Sequence, residues 1–288
     1  MYHDGGNNNY VLIEMGDYFD TLLLPRLKKA AFSDDWKNGA PQSHDGISQV
    51  IKYHRLESYE DTLNNLEVER DKQRDEVLKN NDELRRDYML HYMLETETKG
   101  SPSLLNIDEF ADPTSYSLTV KQPGSDASTE TNVDLLETFN YLIGLRVNRF
   151  APPESFNAEF HRPEDPELPE DEHTRLEING EMEPEQDGPW WFRRVTGWVP
   201  SDPMEPESSD WEQVLIIWRK LTGDLEKDNA MLDAYVSDVR SASDNFDYDL
   251  VYVNGSNNLA GIREEDESWD VHLLEKEFMD RMWDIEDV

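Results

Sequence analysis

The side chain best placed to do chemistry is Glu14, which closes the apolar run Val11, Leu12 and Ile13. A carboxylate at the carboxyl end of a buried parallel strand accepts hydrogen bonds from both hydroxyls of a ribose, the way many α/β domains hold nucleoside cofactors. The same four residues also read as a strand ending in an ordinary solvated acid, and spacing alone favours that reading. The segment Asp112, Pro113, Thr114, Ser115, Tyr116 invites comparison with Asp-Pro-Pro-aromatic loops that hold an extruded base. The second proline and the adjacent aromatic are missing, so it reads as a turn opening a strand. Seven His are scattered without metal-ligand spacing, and the nearest pair, His161 and His173, falls in an acidic stretch. No glycine-rich loop leads into Lys-Ser/Thr, and Gly5 and Gly6 precede the first expected strand where a phosphate loop would follow one. Trp190, Trp191, Trp198, Trp211 and Trp218 could stack on bases, but aromatics at strand spacing read first as core.

Charge sets the conditions under which such groups would work. The 288 residues carry 64 Asp and Glu against 27 Lys and Arg, a formal charge of −37, with 36% apolar residues, eight Trp and twelve Tyr. That is enough apolar material for one large or two modest cores, so the chain is not a disordered acidic tail. Such charge opposes nucleic-acid binding at low ionic strength. The acids are spread along the whole chain, Lys is scarcer than Arg and Cys is absent. This pattern reads as adaptation to a high-salt cytoplasm, where a Debye length of about 3 Å at molar salt screens the repulsion. A DNA-mimicking surface and an acidic partner-binding tail are the rival readings. Without Cys there are no disulfides or thiolate metal sites. No apolar run approaches the roughly 18 residues of a spanning helix and no basic-then-apolar signal opens the chain, so a soluble cytoplasmic protein is expected.

The elements that must position Glu14 follow from the pattern. Residues 10–14 predict a buried strand, and Asp17 is placed to cap a helix with Phe19, Leu22, Leu23, Leu27, Ala30 and Ala31 on its apolar face, kinked or restarted at Pro25. Residues 50–56 alternate as a strand that would close this first sheet. From Ser58, an expected N-cap, to about residue 98 the composition is helical, with a break at Asn80, Asn81 and Asp82 and an exposed, charge-rich middle. Beyond Gly100 the texture is mixed: a strand at 116–120, a turn at 122–126, a helix over 133–147, then a Pro- and acid-rich insertion at 151–188 expected to be mobile. Order resumes at Trp190. A strand at 214–218, a helix with Leu232 and Tyr235 facing inward, and a strand at 250–253 make a parallel βαβ unit, on which a last helix over 271–283 packs. There is no internal repeat.

Several blocks together carry a resemblance: residues 10–29 (Tyr-Val-Leu-Ile-Glu-Met-Gly-Asp-Tyr-Phe-Asp onward), 56–66 (Leu-Glu-Ser-Tyr-Glu-Asp-Thr-Leu-Asn-Asn-Leu), Ser103 to Asn106, 133–147, 217–219 and 252–255. In this order they resemble the C-terminal portion of site-specific DNA adenine-N6 methyltransferases similar to type III restriction-modification methylase subunits. That family moves a methyl group from S-adenosylmethionine to adenine N6 after flipping the base out of duplex DNA. The resemblance implies that Glu14 is the ribose-binding acid of the cofactor site. It also implies that the catalytic Asp-Pro-Pro-aromatic loop and the Phe-x-Gly-x-Gly cofactor loop lie upstream of Glu14, and neither motif occurs in these 288 residues. Met1 is therefore expected to mark a truncated, split or misassigned reading frame.

The expected architecture is α/β. Residues 1–57 form the rear of a partial Rossmann-like methyltransferase sheet, 58–100 a helical arm, and 101–288 a C-terminal mixed α/β domain containing the βαβ unit. The expected partners are DNA, through the complete enzyme, and a separately encoded N-terminal methyltransferase half or a restriction subunit; a homodimer is left open and no membrane is expected. The rival reading is a non-catalytic interaction or assembly module of a restriction-modification system.

Overall fold

The structure, a computed structural model, describes residues 10–16, 18–67, 101, 103, 106–122, 125–164, 174–202, 210–242, 246–263 and 268–283. They divide into two units, Met1–Asn65 with Thr119–Thr131, and Leu66–Leu118 with Asn132–Val288.

In the first unit a π-helical turn, Phe19–Leu23, runs into α1 (Leu24–Phe32). Pro25 sits in the first turn of α1, where the helix changes from π to α, at the position where a kink or restart is expected. β1 (Trp36–Lys37) and β2 (Ala40–Pro41) form a tight antiparallel pair through Asn38 and Gly39, both with positive φ. Ser58 caps α2 (Tyr59–Asn64), its hydroxyl accepting the Asp61 N–H at 3.1 Å. Just past α2, Asn65 acts as a strand neighbour would: Nδ2 donates to the Thr119 carbonyl at 2.9 Å and Oδ1 accepts the Thr119 N–H at 2.7 Å. Thr119 lies in β3 (Ser117–Lys121), which pairs with β4 (Ser128–Asn132) around the expected turn. Asp61 Oδ1 accepts the next available amide, that of Lys121, at 2.9 Å, so side chains satisfy part of an open strand edge.

The strands expected at residues 10–14 and 50–56 are not formed. Val11, Ile13, Val50 and Leu56 are 85%, 87%, 93% and 89% exposed in irregular backbone. A buried parallel strand needs a hydrogen-bonded neighbour on each side and a layer on each face, and no described strand flanks either run. Asp17 and residues 68–100 of the expected arm lie outside the described residues.

The second unit is built around a seven-stranded mixed sheet. α3 (Leu135–Leu142) is capped by Asp134, whose carboxylate accepts the Glu137 N–H at 3.0 Å. It is shorter than the pattern predicts because Gly144, at φ 67°, turns the chain into β5 (Arg146–Phe150). Four short strands follow: β6 (Glu154–Asn157), β7 (Phe160–His161), β8 (Glu177–Ile178) and β9 (Glu183–Pro184). The insertion expected to be mobile is thus partly ordered, β6 pairing with both β9 and β10 (Trp190–Pro200). β10 forms a long antiparallel hairpin with β11 (Trp211–Arg219). α4 (Leu225–Ser241), capped by Asp224, then crosses to β12 (Leu250–Val253), parallel to β11, which is the expected βαβ unit. β13 (Asp270–Leu273) adds parallel to β12 before α5 (Leu274–Trp283) begins. The last helix therefore starts three residues later than expected, because Val271 to Leu273 are taken by the sheet edge.

Period-two alternation divides the side chains of this sheet between two cores. Val195, Val214, Ile216, Trp218 and Tyr252 pack with Phe139 of α3 and Phe278 of α5 on one face. Phe192, Leu215, Ile217, Val251 and Val253 pack with Met231, Leu232 and Tyr235 of α4 on the other. Layers on both faces explain why Val214 to Trp218 is a continuous apolar run. Among the described residues no helix is long and apolar enough to cross a membrane.

Candidate functional site

Open α/β sheets present functional groups beyond the carboxyl ends of their parallel strands. At that end of β11 and β12 lies a buried polar knot centred on Arg219, which is 1% exposed. Its Nε donates to the Asn254 carbonyl at 3.0 Å, Nη1 to the Asp228 carbonyl at 2.7 Å and the Asn229 side chain at 3.1 Å, and Nη2 to Asn229 and the Ser256 carbonyl, both at 3.1 Å. Asn254 answers in kind: its Oδ1 accepts the Arg219 N–H at 2.8 Å, and its Nδ2 donates to the Arg219 and Phe110 carbonyls at 2.8 and 2.9 Å. Gly255 passes beside this knot with φ 77°, and a Cβ there would meet the Leu221 side chain at 2.8 Å. Burial pulls the Arg219 guanidinium down to about 10, against the attraction of Asp228, Glu275 and Asp233, so it stays charged at neutral pH.

Three carboxylates surround the guanidinium. Asp228 accepts the Trp190 indole N–H at 3.1 Å, the Thr222 hydroxyl at 2.7 Å and the Thr222 amide at 3.0 Å. Burial raises the carboxyls of Glu275 and Asp233. Glu275 Oε1 accepts the Gly255 N–H at 2.6 Å while its Oε2 has no hydrogen-bond partner among the described residues. Every donor of Arg219 is spent on the protein itself, so the knot fastens β11, β12 and the start of α4 rather than presenting a cation to a ligand. The pattern carries a weak sign of it: an Arg directly after a wholly apolar run, and Asn-Gly closing the paired strand.

Near the opposite end of these strands a cleft of about 240 Å³ is lined by Ile143, Glu212, Tyr252, His272, Glu277 and Arg281 among others. Burial raises Glu212, aided by Asp249. Arg281 donates to Glu277 at 2.8 Å, one helical turn away. The volume falls below the roughly 300 Å³ at which small-molecule sites begin, and no group of three ligating side chains for a metal is present among the described residues.

The residues singled out in the sequence are dispersed. Glu14 lies in exposed irregular backbone, its Oε1 accepting the Gly16 N–H at 2.9 Å. The strand end that would hold a ribose is not formed around it, so the described residues do not fit S-adenosylmethionine. Asp112 makes the expected turn ahead of β3, accepting the Thr114 amide at 3.1 Å and pairing with Lys220 at 2.5 Å. His161 is in β7, and His173 lies outside the described residues. Trp190 and Trp218 are buried core, whereas Trp198 is 39% exposed.

No protein-family model, curated protein or solved structure matches this chain.

Proposed function

We propose that the chain is the C-terminal region of an S-adenosylmethionine-dependent DNA adenine-N6 methyltransferase, adapted to high salt and inactive by itself. In this reading residues 10–57 are the rear of a Rossmann-like cofactor sheet, and Glu14 reaches the cofactor ribose only when the remaining strands are supplied. The observation that carries it is the row of ordered sequence blocks between residues 10 and 255. The exposure of Val11, Ile13, Met15, Val50 and Leu56 supports it, since apolar strand-like runs left in water are what part of a sheet presents without its neighbours.

The same exposure favours a second reading, a non-catalytic assembly module that docks on a methylase or restriction subunit. Labelled methyl incorporation into mixed-sequence DNA at molar potassium chloride addresses the first reading. The chain alone should give none, and co-expression with a separately encoded N-terminal half should give a complex whose cofactor binding falls on Glu14→Ala. Assembly without any cofactor binding would favour the module. Turnover by the chain alone, lost on Glu14→Ala, would overturn the claim that it lacks the catalytic parts.

A further inference from the structure

Several stretches of the chain hold no carboxylate, and two of them, residues 138–153 and 188–201, contain Arg146, Arg149, Arg193 and Arg194. The sheet brings these two together as β5 and β10. Thr196 pairs with Arg149 and Trp198 with Arg146 across a bulge. Gly197 permits the bulge, because a Cβ there would sit 2.3 Å from the Arg146 carbonyl. Alternation places Arg194, Thr196 and Trp198 on the face whose core is Phe192, Leu215 and α4, and pairing places Arg146 and Arg149 beside them on that face. α4 covers this face over β11 and β12. The β5 flank stays open: Arg146 and Arg149 are exposed and Trp198 is 39% exposed.

The arginines here differ from several of the other basic side chains. Lys121, Arg162, Arg175, Lys220 and Arg281 each pair with a carboxylate, whereas Arg146, Arg149 and Arg194 enter no ion pair among the described residues. Arg146 instead lies over the Trp211 ring at 3.8 Å, and Arg194 stands 5.9 Å from the Tyr235 ring. Tyr248, half-buried, feels the charge of both Arg194 and Arg149. Asp202 and Asp210 bound the surface at the hairpin tip.

We propose that this Arg- and Trp-bearing flank of the sheet binds single-stranded nucleic acid, its arginines holding phosphates and Trp198 stacking on a base. Charge complementarity selects a polyanion on a chain that otherwise repels one. The exposed indole selects a strand with unpaired bases, because a duplex offers no free base face. Stacking also matters for a protein adapted to high salt, since phosphate contacts weaken as salt rises while stacking does not depend on unscreened charge. The proposal is independent of the methyltransferase reading, and its test uses the chain alone.

Fluorescence anisotropy with a labelled oligothymidylate and a duplex of equal length, at several potassium chloride concentrations that preserve the circular dichroism spectrum, tests it. The single strand should bind saturably and more tightly than the duplex. Arg146→Gln with Arg149→Gln should weaken it about tenfold and flatten the salt dependence. Trp198→Ala should weaken it about fivefold or more. Arg149→Glu, at an exposed position, serves if the double variant unfolds, and should weaken binding in the same direction. No binding, binding indifferent to all these variants, or a preference for duplex would each overturn the proposal.

Discussion

The two units hold similar apolar runs and treat them oppositely. In the second, Val214 to Trp218 is entirely buried between two helix-bearing layers. In the first, the run ending at Glu14 lies in water, with Val11 and Ile13 more than four-fifths exposed at 85% and 87%. The difference lies in neighbours rather than in residue type: β11 has β10 and β12 on its two edges, and residues 10–14 have no described strand beside them. An apolar run is a request for a layer, and only the rest of the chain or another chain can meet it.

Substitutions at the two places should give unequal effects. Arg219→Ala removes five donated hydrogen bonds from the knot, to Asn229 and to the Asp228, Asn254 and Ser256 carbonyls, and takes the cation from among Asp228, Glu275 and Asp233, so the second unit should lose about 3–5 kcal/mol. Val11→Ser with Ile13→Ser should change stability by less than about 0.5 kcal/mol, since neither side chain leaves a core. Chemical denaturation of both variants at fixed high salt checks the contrast; equal losses would abolish it.

A smaller effect of opposite sign is expected inside the second unit. Asn140, on α3, is 1% exposed, and neither of its side-chain polar atoms has a hydrogen-bond partner among the described residues. Asn140→Leu should therefore stabilise by about 1 kcal/mol, because it removes an uncompensated desolvation cost. A melting temperature lowered by this change would show that the amide is satisfied in solution.

Acid should act on the first unit through Asp61. Burial pushes its carboxyl up, but the Lys121 amide, the Ser58 hydroxyl and the charge of Arg55 together outweigh burial and hold it below the ordinary value. A depressed carboxyl contributes stability that is present above its unfolded pKa and lost as pH falls through the folded value. Loss of the contact between α2 and β3 should thus begin below about pH 4 and finish lower still. Asp61→Asn should remove that part of the acid dependence, read from the Thr119 and Lys121 amide resonances. A variant with an unchanged acid profile would assign the transition to other groups.

The βαβ unit was legible because three signals agree there: the apolar run at 214–218, Leu232 and Tyr235 at helical spacing, and the run at 250–253. The Ser58 cap and the change of helix type at Pro25 were legible for the same local reason. The short strands β6 and β9 were not, because their acidic and proline-bearing residues pair only by virtue of the long β10 beside them. The start of α5 was misplaced because His272 and Leu273 fit a helix as well as a sheet edge, and only β12 decides. The arginine face was written in the sequence as two stretches free of carboxylates, but their meeting depends on the β5–β10 pairing, which no local pattern announces.

Amide hydrogen exchange on the isolated chain at molar potassium chloride tests the contrast between the units most directly. The amides of β10, β11 and β12 should exchange only on global opening, and those of residues 10–16 and 48–56 at nearly the rate of an unfolded chain. Strong protection of residues 10–14 in the isolated chain would mean that this run finds its layer within the same molecule, which would contradict the account.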